Sequence, residues 1–407
     1  MTIADTLKKR RGYLVTGVIA MLFSGVLYAW SILKAPFSEN FEWSSEALAL
    51  NFTITMTFFC LGAFFGSLIN KKAGVRISLL IAAVLVGAGF ISTGLLGKEQ
   101  LSLLYICYGT LAATGIGICY NVTVSTVNSW FPDKKGLSSG LLMMGFGVST
   151  LLLGNLISTL FAEPAIGVGR TYMILGIAIA TVLAVASFIL KAPSADTPLP
   201  APKTVKAAGK ESFEAKDFTT VQMLKSFTFI RAFICMTFIT AVGNSVISFA
   251  RDLMLSVDAS VSLATTLVGV LSVFNGIGRI VTGALFDKAG RKITMISANI
   301  LTIVAAGITL VAVSISSLPL CIAGLCLTGL SYGSSPTVTS AFTMEFYGKK
   351  HFATNYSIMN FNLIIASFFA TLSSTLLGST GSYTAPFIML LALSVLALGL
   401  NFSIKKP

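Results

Sequence analysis

Charged side chains are scarce in this chain: they make up 11% of its 407 residues, whereas hydrophobic residues make up 55%. A soluble domain carries roughly a quarter charged residues. The shortage therefore excludes an ordinary soluble domain and predicts a membrane protein with several spans. We expect no cleaved signal peptide, because the first apolar run, residues 12–33, is long enough to cross a bilayer and no small-residue cleavage site ends it.

Residues that commonly bind metals are also few. The chain has one histidine, His351, which lies beside Lys349 and Lys350, and its six cysteines form no Cys-x-x-Cys pair. All six cysteines lie in apolar runs, where we expect them to pack as small apolar side chains. The sequence therefore indicates no metal, cofactor or disulfide. It also contains no recognisable nucleophile–base set, so we do not expect an enzyme.

Long apolar runs fill most of the chain. Twelve of them reach about 20 residues or more, whereas the strands of membrane barrels are about half that length. The pattern predicts an all-α integral membrane protein with twelve transmembrane helices in two pseudo-symmetric six-helix bundles. The predicted spans are 12–33, 47–69, 77–96, 101–129, 136–161, 171–191, 227–254, 261–285, 293–315, 318–345, 351–378 and 383–404.

The longest polar segment covers residues 192–226 and is rich in proline, alanine and lysine. This composition is typical of a mobile linker. It divides the chain into an N-terminal bundle, 1–191, and a C-terminal bundle, 227–407.

Basic residues are distributed unevenly along the chain. With the N-terminus in the cytoplasm, the predicted inner segments hold 23 of the 28 lysines and arginines, and the outer loops hold only Lys34, Lys98, Arg170 and Arg251. This asymmetry predicts cytoplasmic termini. It also attributes the net charge of +13 to topology and to attraction by the cytoplasmic leaflet, rather than to nucleic-acid binding. One basic residue, Arg279, belongs to neither side.

The two halves share a short internal repeat. "GSLINKKAGVR", residues 66–76, follows the second predicted span, and "GALFDKAGRK", residues 283–292, follows the eighth. Both read Gly, two residues, an apolar residue, Asn or Asp, a basic residue, then Ala-Gly. The repeat indicates a parallel duplication, and two related six-span halves are the architecture of a secondary transporter, with its substrate site near the bilayer midplane.

These features resemble the major facilitator superfamily, in which the repeated loop is a recognisable motif. Three stretches resemble the oxalate:formate antiporters and the related monocarboxylate transporters: "NSWFPDKKGLSSG" (128–140), "DFTTVQMLKSFTFI" (217–230) and "FNGIGRIVTGALFDKAGRK" (274–292). The resemblance implies that the repeated loops help to hold an inner gate. The motif residues are Gly66, Asn70, Gly74, Arg76, Gly283, Asp287, Gly290 and Arg291, and Asn70 stands where the family usually has Asp.

The resemblance also implies roles for individual residues. Both related groups carry an arginine in span eight that pairs with the substrate carboxylate, and Arg279 matches it. Where the oxalate transporters carry a lysine in span eleven, this chain has Leu363. Where the animal monocarboxylate carriers have an aspartate four residues before the arginine, it has Asn275. Those carriers also have a lysine in the first span, for which Lys34 is the nearest candidate here.

An arginine at the centre of a membrane helix costs about 2.5–3.5 kcal/mol on insertion scales, so Arg279 needs a cavity or a partner. No Asp or Glu lies deep in a predicted span, and Glu345 at an inner end is the closest. A substrate carboxylate would satisfy the guanidinium bidentately. Two structural alternatives are that Arg279 snorkels to the inner interface, or that it bonds to backbone carbonyls or to Asn275 for packing alone.

Several polar side chains are predicted near the depth of Arg279. Each has an alternative role as an interhelical hydrogen-bonding residue, and such a bond contributes about 0.6 kcal/mol on average. For Tyr28, in the outer half of span one, the alternative is an interfacial tyrosine. The candidate substrate-binding residues besides Arg279 are Asn275, Tyr120, Asn121, Tyr332, Asn360, Asn362 and Tyr28.

The sequence therefore predicts a secondary transporter of a small organic anion, in a lipid bilayer and most simply in a bacterial plasma membrane. One fixed positive charge favours a monocarboxylate such as lactate, pyruvate or formate. Proton symport, anion exchange and uniport stay open, and a monomer is expected. The alternatives are an oxalate:formate-type dicarboxylate exchanger, a facilitator-fold transporter of another small solute, and a nutrient sensor that keeps the fold without transport.

Overall fold

A computed structural model describes residues 3–133, 135–194, 197–200, 217–348 and 350–405, apart from the side chains of residues 3–5, 135–137, 287 and 353. Within these ranges every regular element is a helix, which confirms the predicted all-α class. Two compact units are present, Met1–Trp43 with Ile54–Ala208 and Ser44–Thr53 with Gly209–Pro407. The bundle boundaries at 191 and 227 stay a prediction, and residues 201–216 of the linker lie outside the described ranges.

The first unit contains eight α-helices, and α1 packs against α6, α7 and α8. A 3₁₀ segment, Gly25–Ala29, joins α1 to α2, and a π-helical segment, Tyr105–Ala112, joins α5 to α6. The helices are α1 (Ile3–Ser24), α2 (Trp30–Leu33), α3 (Ala35–Phe41), α4 (Ser45–Thr93, with residues 54–93 in this unit), α5 (Leu101–Leu104), α6 (Ala113–Ser129), α7 (Lys135–Ala162) and α8 (Gly167–Ile189).

Gly25 explains how the first span packs so closely. A Cβ at this position would overlap the backbone carbonyl oxygen of Phe146 in α7, so the absence of a side chain lets the two backbones touch. The helix tightens to 3₁₀ geometry at this contact. The predicted span 12–33 is therefore part of a longer, interrupted run, Thr6–Phe41.

The second unit contains seven α-helices, and α10 packs against α11, α12, α14 and α15. Side-chain caps set several starts: Thr219 and Gln222 form a capping box at α9, and the Ser226 and Ser260 hydroxyls accept backbone N–H bonds at α10 and α11. The helices are α9 (Thr220–Leu224), α10 (Phe227–Leu255), α11 (Val261–Ser314), α12 (Leu318–Tyr347), α13 (Phe352–Asn360), α14 (Asn362–Thr380) and α15 (Thr384–Phe402).

Eleven helical runs in the described residues are long and apolar enough to cross a membrane. One of them, Ser45–Thr93, has 49 residues, or about 74 Å at 1.5 Å per residue, more than twice the roughly 30 Å of a bilayer core. This run contains the predicted span 47–69 and all but the last three residues of the predicted span 77–96. The eleven runs therefore account for the twelve predicted spans.

The two longest helices break at equivalent glycines of the repeated motif. Gly74 in α4 has φ 80° and ψ 173°, and Gly290 in α11 has φ 72° and ψ 177°. This backbone region is essentially restricted to glycine. The matching breaks are the structural counterpart of the sequence repeat, because each glycine ends one span and lets the next begin.

Two basic residues assigned to outer loops are buried in the protein. Lys34 is 3% exposed and Arg251 is 8% exposed. Lys34 lies at the junction of α2 and α3, where helical structure continues on both sides, so the residue does not occupy an open loop. Arg251 follows a break at Phe249, whose φ of −130° and ψ of 18° are not helical.

An ion pair joins two exposed segments of the first unit. The Lys98 ammonium lies 2.5 Å from the Glu42 carboxylate, and the Trp43 indole N–H donates to the Lys98 carbonyl oxygen at 2.7 Å. The hydrogen bond to Lys98 lowers the pKa of the Glu42 carboxyl, and the same bond raises the pKa of the Lys98 amine. Both groups are solvent-exposed, so the pair contributes little to stability.

Candidate functional site

Arg279 is buried in the first half of α11, with 8% of its surface exposed. Its Nε donates a hydrogen bond of 3.4 Å to the Oδ1 of Asn275, which is 1% exposed. The two residues are four apart, so the geometry of the helix places them on one face. This bond is the one expected if Arg279 bonds to Asn275 for packing alone. It also fixes the position of the Nε end of the guanidinium.

α11 and α12 approach each other closely beside this pair. A Cβ at Gly333 of α12 would overlap the Asn275 carbonyl oxygen, and a Cβ at Gly278 of α11 would overlap the Leu330 carbonyl oxygen. The Thr337 hydroxyl also donates to the Arg279 carbonyl oxygen at 3.5 Å. Glycine on both helices therefore brings the α12 backbone against the segment that carries Arg279.

Tyr332, the residue before Gly333, belongs to a hydrogen-bonded chain across three helices. Its hydroxyl donates to the Oδ1 of Asn244 in α10 at 2.8 Å, and the Asn244 Nδ2 donates to the Leu363 carbonyl oxygen in α14 at 3.2 Å. Tyr332 is 4% exposed and Asn244 is fully buried. The structure thus connects predicted residue Tyr332 to the α11 segment on one side and to α14 on the other.

The two predicted asparagines of span eleven lie on either side of a break. Asn360 ends α13 and is half-buried, whereas Asn362 begins α14 and is 2% exposed. Within the described part of the chain, the Asn362 Nδ2 has no hydrogen-bond partner. A buried donor without a partner is costly, which marks Asn362 as a candidate for binding a ligand acceptor.

Two predicted residues of the first unit, Tyr28 and Tyr120, contact one ring, that of Phe146. The Tyr28 ring meets Phe146 edge-on, with centroids 5.2 Å apart, and Tyr120 meets Phe146 edge-on at 5.3 Å. Tyr120 also contacts Phe59, with centroids 5.5 Å apart. Tyr28 is buried, whereas Tyr120 and Asn121 are half-buried. The structure therefore brings Tyr28 and Tyr120 together through Phe146.

Sequence reasoning missed Asn244 and Phe146. A sequence signal existed for Asn244, because it is an amide in an apolar run, the same feature that identified Asn275. Phe146 lies in "GFG", residues 145–147, between two glycines. A phenylalanine in a chain with 30 of them carries no distinguishing signal.

The predicted gate residues occupy varied positions. Besides the positive-φ glycines, Gly66 lies against the α6 backbone, where a Cβ would come 2.9 Å from the Ile118 Cα, and Gly283 makes only ordinary contact. Arg76 lies over the Phe188 ring at 4.3 Å, and Arg291 lies over the Phe346 ring at 4.7 Å. Asn70 is half-buried, and the side chain of Asp287 lies outside the described residues.

Among the described residues, no three His, Cys, Asp or Glu side chains lie together as a potential metal-binding group. The six cysteines are free thiols. The polar groups that the structure does bring together, a guanidinium, amides and a tyrosine hydroxyl, can bind an anion through charge and hydrogen bonds.

Two related series of membrane-spanning helices, broken at matching glycines, are the architecture of a secondary transporter. The chain belongs to the major facilitator superfamily, whose family model matches residues 12–239 and 232–407. It is thus a multi-pass membrane transporter of that superfamily and not an enzyme.

Relatives and solved structures agree with this assignment. The oxalate:formate antiporter of Oxalobacter formigenes is 32% identical over 289 residues, which cover 70% of this chain and 65% of the antiporter. Monocarboxylate transporter 12 of Rattus norvegicus is 22% identical over 384 residues, covering 88% of this chain and 77% of the relative. The match to the antiporter thus spans slightly less than two thirds of its length.

The fold matches solved transporters at low identity. A bacterial homologue of the lysosomal transporter Spinster superposes with a TM-score of 0.70 at 16% identity, covering 97% of both chains. The nucleoside transporter NupG superposes with a TM-score of 0.71 at 12% identity, covering 98% of this chain and 100% of that one. At such identities the likeness establishes the fold alone.

Proposed function

We propose that this transporter carries a small monocarboxylate, such as lactate, pyruvate or formate, by alternating access, and that Arg279 binds the substrate carboxylate. The observation that carries the proposal is the buried Arg279 whose Nε bonds to the neutral amide of Asn275. No Asp or Glu occurs between Asp258 and Asp287 in the sequence of this helix. A planar guanidinium can bind an incoming carboxylate through two charge-assisted hydrogen bonds.

Charge counting favours a monoanion at this site. One guanidinium neutralises one carboxylate, whereas a dianion leaves a negative charge that is costly to bury. The place of the second cation of the oxalate transporters is occupied by Leu363, and its carbonyl oxygen accepts a bond from neutral Asn244. Asn362 then supplies a polar contact, and Tyr28, Tyr120, Asn121, Tyr332 and Asn360 are the remaining candidates.

A dicarboxylate exchanger is the second candidate function. One observation favours it: the 32% identity to an oxalate:formate antiporter. The two functions differ in whether the substrate carries one carboxylate or two.

Uptake into proteoliposomes separates these possibilities. We expect the wild-type protein to take up lactate or formate better than oxalate, and Arg279→Gln to reduce uptake by about 100-fold, because a desolvated charge pair contributes roughly 2–5 kcal/mol. Arg170→Gln is the matched control, since Arg170 is exposed and bonds to the Ala165 carbonyl oxygen. Oxalate uptake that exceeds lactate uptake would establish the dicarboxylate function instead.

The same vesicles address the coupling. Uptake that requires a carboxylate inside the vesicle indicates exchange, and uptake into empty vesicles that is accelerated by external acid indicates proton symport. The proposal also includes cytoplasmic termini, a bacterial plasma membrane, a monomeric transporter and an inner gate held by the two repeated loops.

A further inference from the structure

The seventh membrane span contains a fully buried polar side chain, Asn244, that the proposed function does not use. An amide placed among apolar side chains is tolerated only when its hydrogen bonds are satisfied. The Asn244 side chain accepts one hydrogen bond from α12 and donates one to α14. The residue therefore ties three helices of the second unit together at a single point.

The chemistry of the two partners fixes the direction of each bond. The Leu363 carbonyl oxygen can only accept, so the Nδ2 of Asn244 must face it. The Oδ1 then faces Tyr332, and an amide oxygen can only accept, so the Tyr332 hydroxyl must donate. A tyrosine has a single hydroxyl proton, and here that proton is committed to Asn244.

The position of the Tyr332 ring is also fixed from the α10 side. A Cβ at Gly243 would overlap the Tyr332 ring, so this glycine makes the space in which the ring lies, directly beside Asn244. The next residue of α12, Gly333, lies against the Asn275 carbonyl oxygen of α11. One dipeptide of α12 thus contacts Asn244 on one side and the Arg279-bearing segment on the other.

We propose that Asn244 is a positioning residue of the substrate site: it holds the Tyr332 hydroxyl in one orientation and ties it to the backbone break between α13 and α14. The proposal rests on the proposed function, because it assigns how that same site is shaped. Asn244 does not bind the carboxylate; it keeps the tyrosine proton away from it, so the negative charge is met by Arg279.

Replacing Asn244 with aspartate tests the fixed bond directions. An ionised carboxylate would face the Leu363 carbonyl oxygen with no proton to donate, whereas the protonated acid can donate to that oxygen and still accept from Tyr332. Burial raises the pKa of such a carboxyl. Only the protonated carboxyl of Asn244→Asp can form both hydrogen bonds. Transport by this variant is therefore present below the raised pKa and is lost as the pH rises through it.

Few other groups can influence this titration. Of the helices packed against α10, α9, α14 and α15 carry no titratable side chain in the sequence. α12 presents Tyr332 to the new carboxyl, and α11 carries Arg279 beside Gly333. On α10 itself the nearest titratable residues are Arg251, Asp252 and Cys235, seven, eight and nine residues away.

The experiment measures lactate uptake by full-length wild type and Asn244→Asp in proteoliposomes from pH 5 to pH 8, expressed as the variant-to-wild-type ratio at each pH. We expect the ratio to fall about tenfold across this range, the loss that an unsatisfied buried polar contact produces. The control is Asn299→Asp: buried Asn299 accepts from the Asn401 Nδ2 at 2.7 Å, and its own Nδ2 has no partner among the described residues. Its ratio should stay flat.

A second measurement distinguishes positioning from general stability. If Asn244 acts through Tyr332, then Asn244→Leu and Tyr332→Phe should not be additive, and the double variant should transport no worse than Asn244→Leu alone. A flat Asn244→Asp ratio, or additive single variants in an active protein, overturns the inference. A wild type that transports no carboxylate overturns the proposed function instead.

Discussion

The Nε of Arg279 lies 3.4 Å from the Oδ1 of Asn275, one helical turn earlier on α11. The arginine thus has a neutral neighbour where the resemblance to animal carriers implies an acid. Under the proposed function, a carboxylate at this position would compete with the substrate for the same guanidinium, so we expect this side chain to influence how strongly Arg279 attracts an anion.

Asn275→Asp should make substrate affinity depend on pH. Arg279 lowers the pKa of the new carboxyl in the empty site, and a bound substrate that draws the guanidinium away raises it again. Substrate binding is then linked to proton uptake, so affinity improves as pH falls. We expect a KM for lactate about tenfold above wild type at pH 7, which falls toward pH 5. Asn275→Ala is the control, and a wild-type KM in Asn275→Asp at pH 7 would contradict the proposal.

Gly333→Ala should destabilise the second unit. The added methyl group would meet the Asn275 carbonyl oxygen, so α12 must move away from α11, and overpacking of this kind costs about 1–3 kcal/mol. Gly307→Ala is the matched control, because a Cβ there meets nothing within 4 Å. Thermal unfolding in detergent measures both. Equal melting temperatures for the two variants would show that the helices do not touch as described.

Gly74→Ala and Gly290→Ala should each lower stability by about 1–3 kcal/mol, because alanine is strained at a φ of 80° or 72°. Neither glycine has a neighbour within 4 Å of its added Cβ, so a loss would report backbone strain rather than crowding. Gly12→Ala, in open space without a positive φ, is the control. Melting temperatures that match Gly12→Ala would indicate that these segments adopt another backbone conformation.

Phe146→Ala should destabilise the first unit by about 3–5 kcal/mol, since the ring is 1% exposed and supports both Tyr28 and Tyr120. Phe402, which is 64% exposed, is the matched control, and Phe402→Ala should change the melting temperature little. We further expect Phe146→Leu to be milder, because leucine refills most of the cavity. A Phe146→Ala protein as stable as wild type would mean that the three rings do not form a packed cluster.

Much of the fold could be predicted from sequence because the membrane imposes simple rules. Apolar length defined the spans, and the repeated motif lies between spans two and three and between spans eight and nine, where the structure breaks at Gly74 and Gly290. Arg279 could be identified for the same reason, because a charged residue in an apolar run is costly whichever way its side chain points.

The rest depends on helix rotation and close contact, which the sequence does not encode locally. Asn244 and Asn275 are both amides in apolar runs, and only the packing of α10 against α12 and α14 shows that Asn244 meets Tyr332 and Leu363. Similarly, Lys34 is buried because helical structure continues on both sides of it, whereas its position after an apolar run predicted an outer loop.

Binding of lactate and of its neutral amide, lactamide, to the purified protein tests the central claim most directly. The two ligands share size and shape but differ in charge. If Arg279 binds the substrate carboxylate, the wild type binds lactate at least about 100-fold more tightly than lactamide, and Arg279→Gln removes that difference. Equal binding of both ligands by the wild type, or a preference for lactate that survives in Arg279→Gln, would contradict the claim.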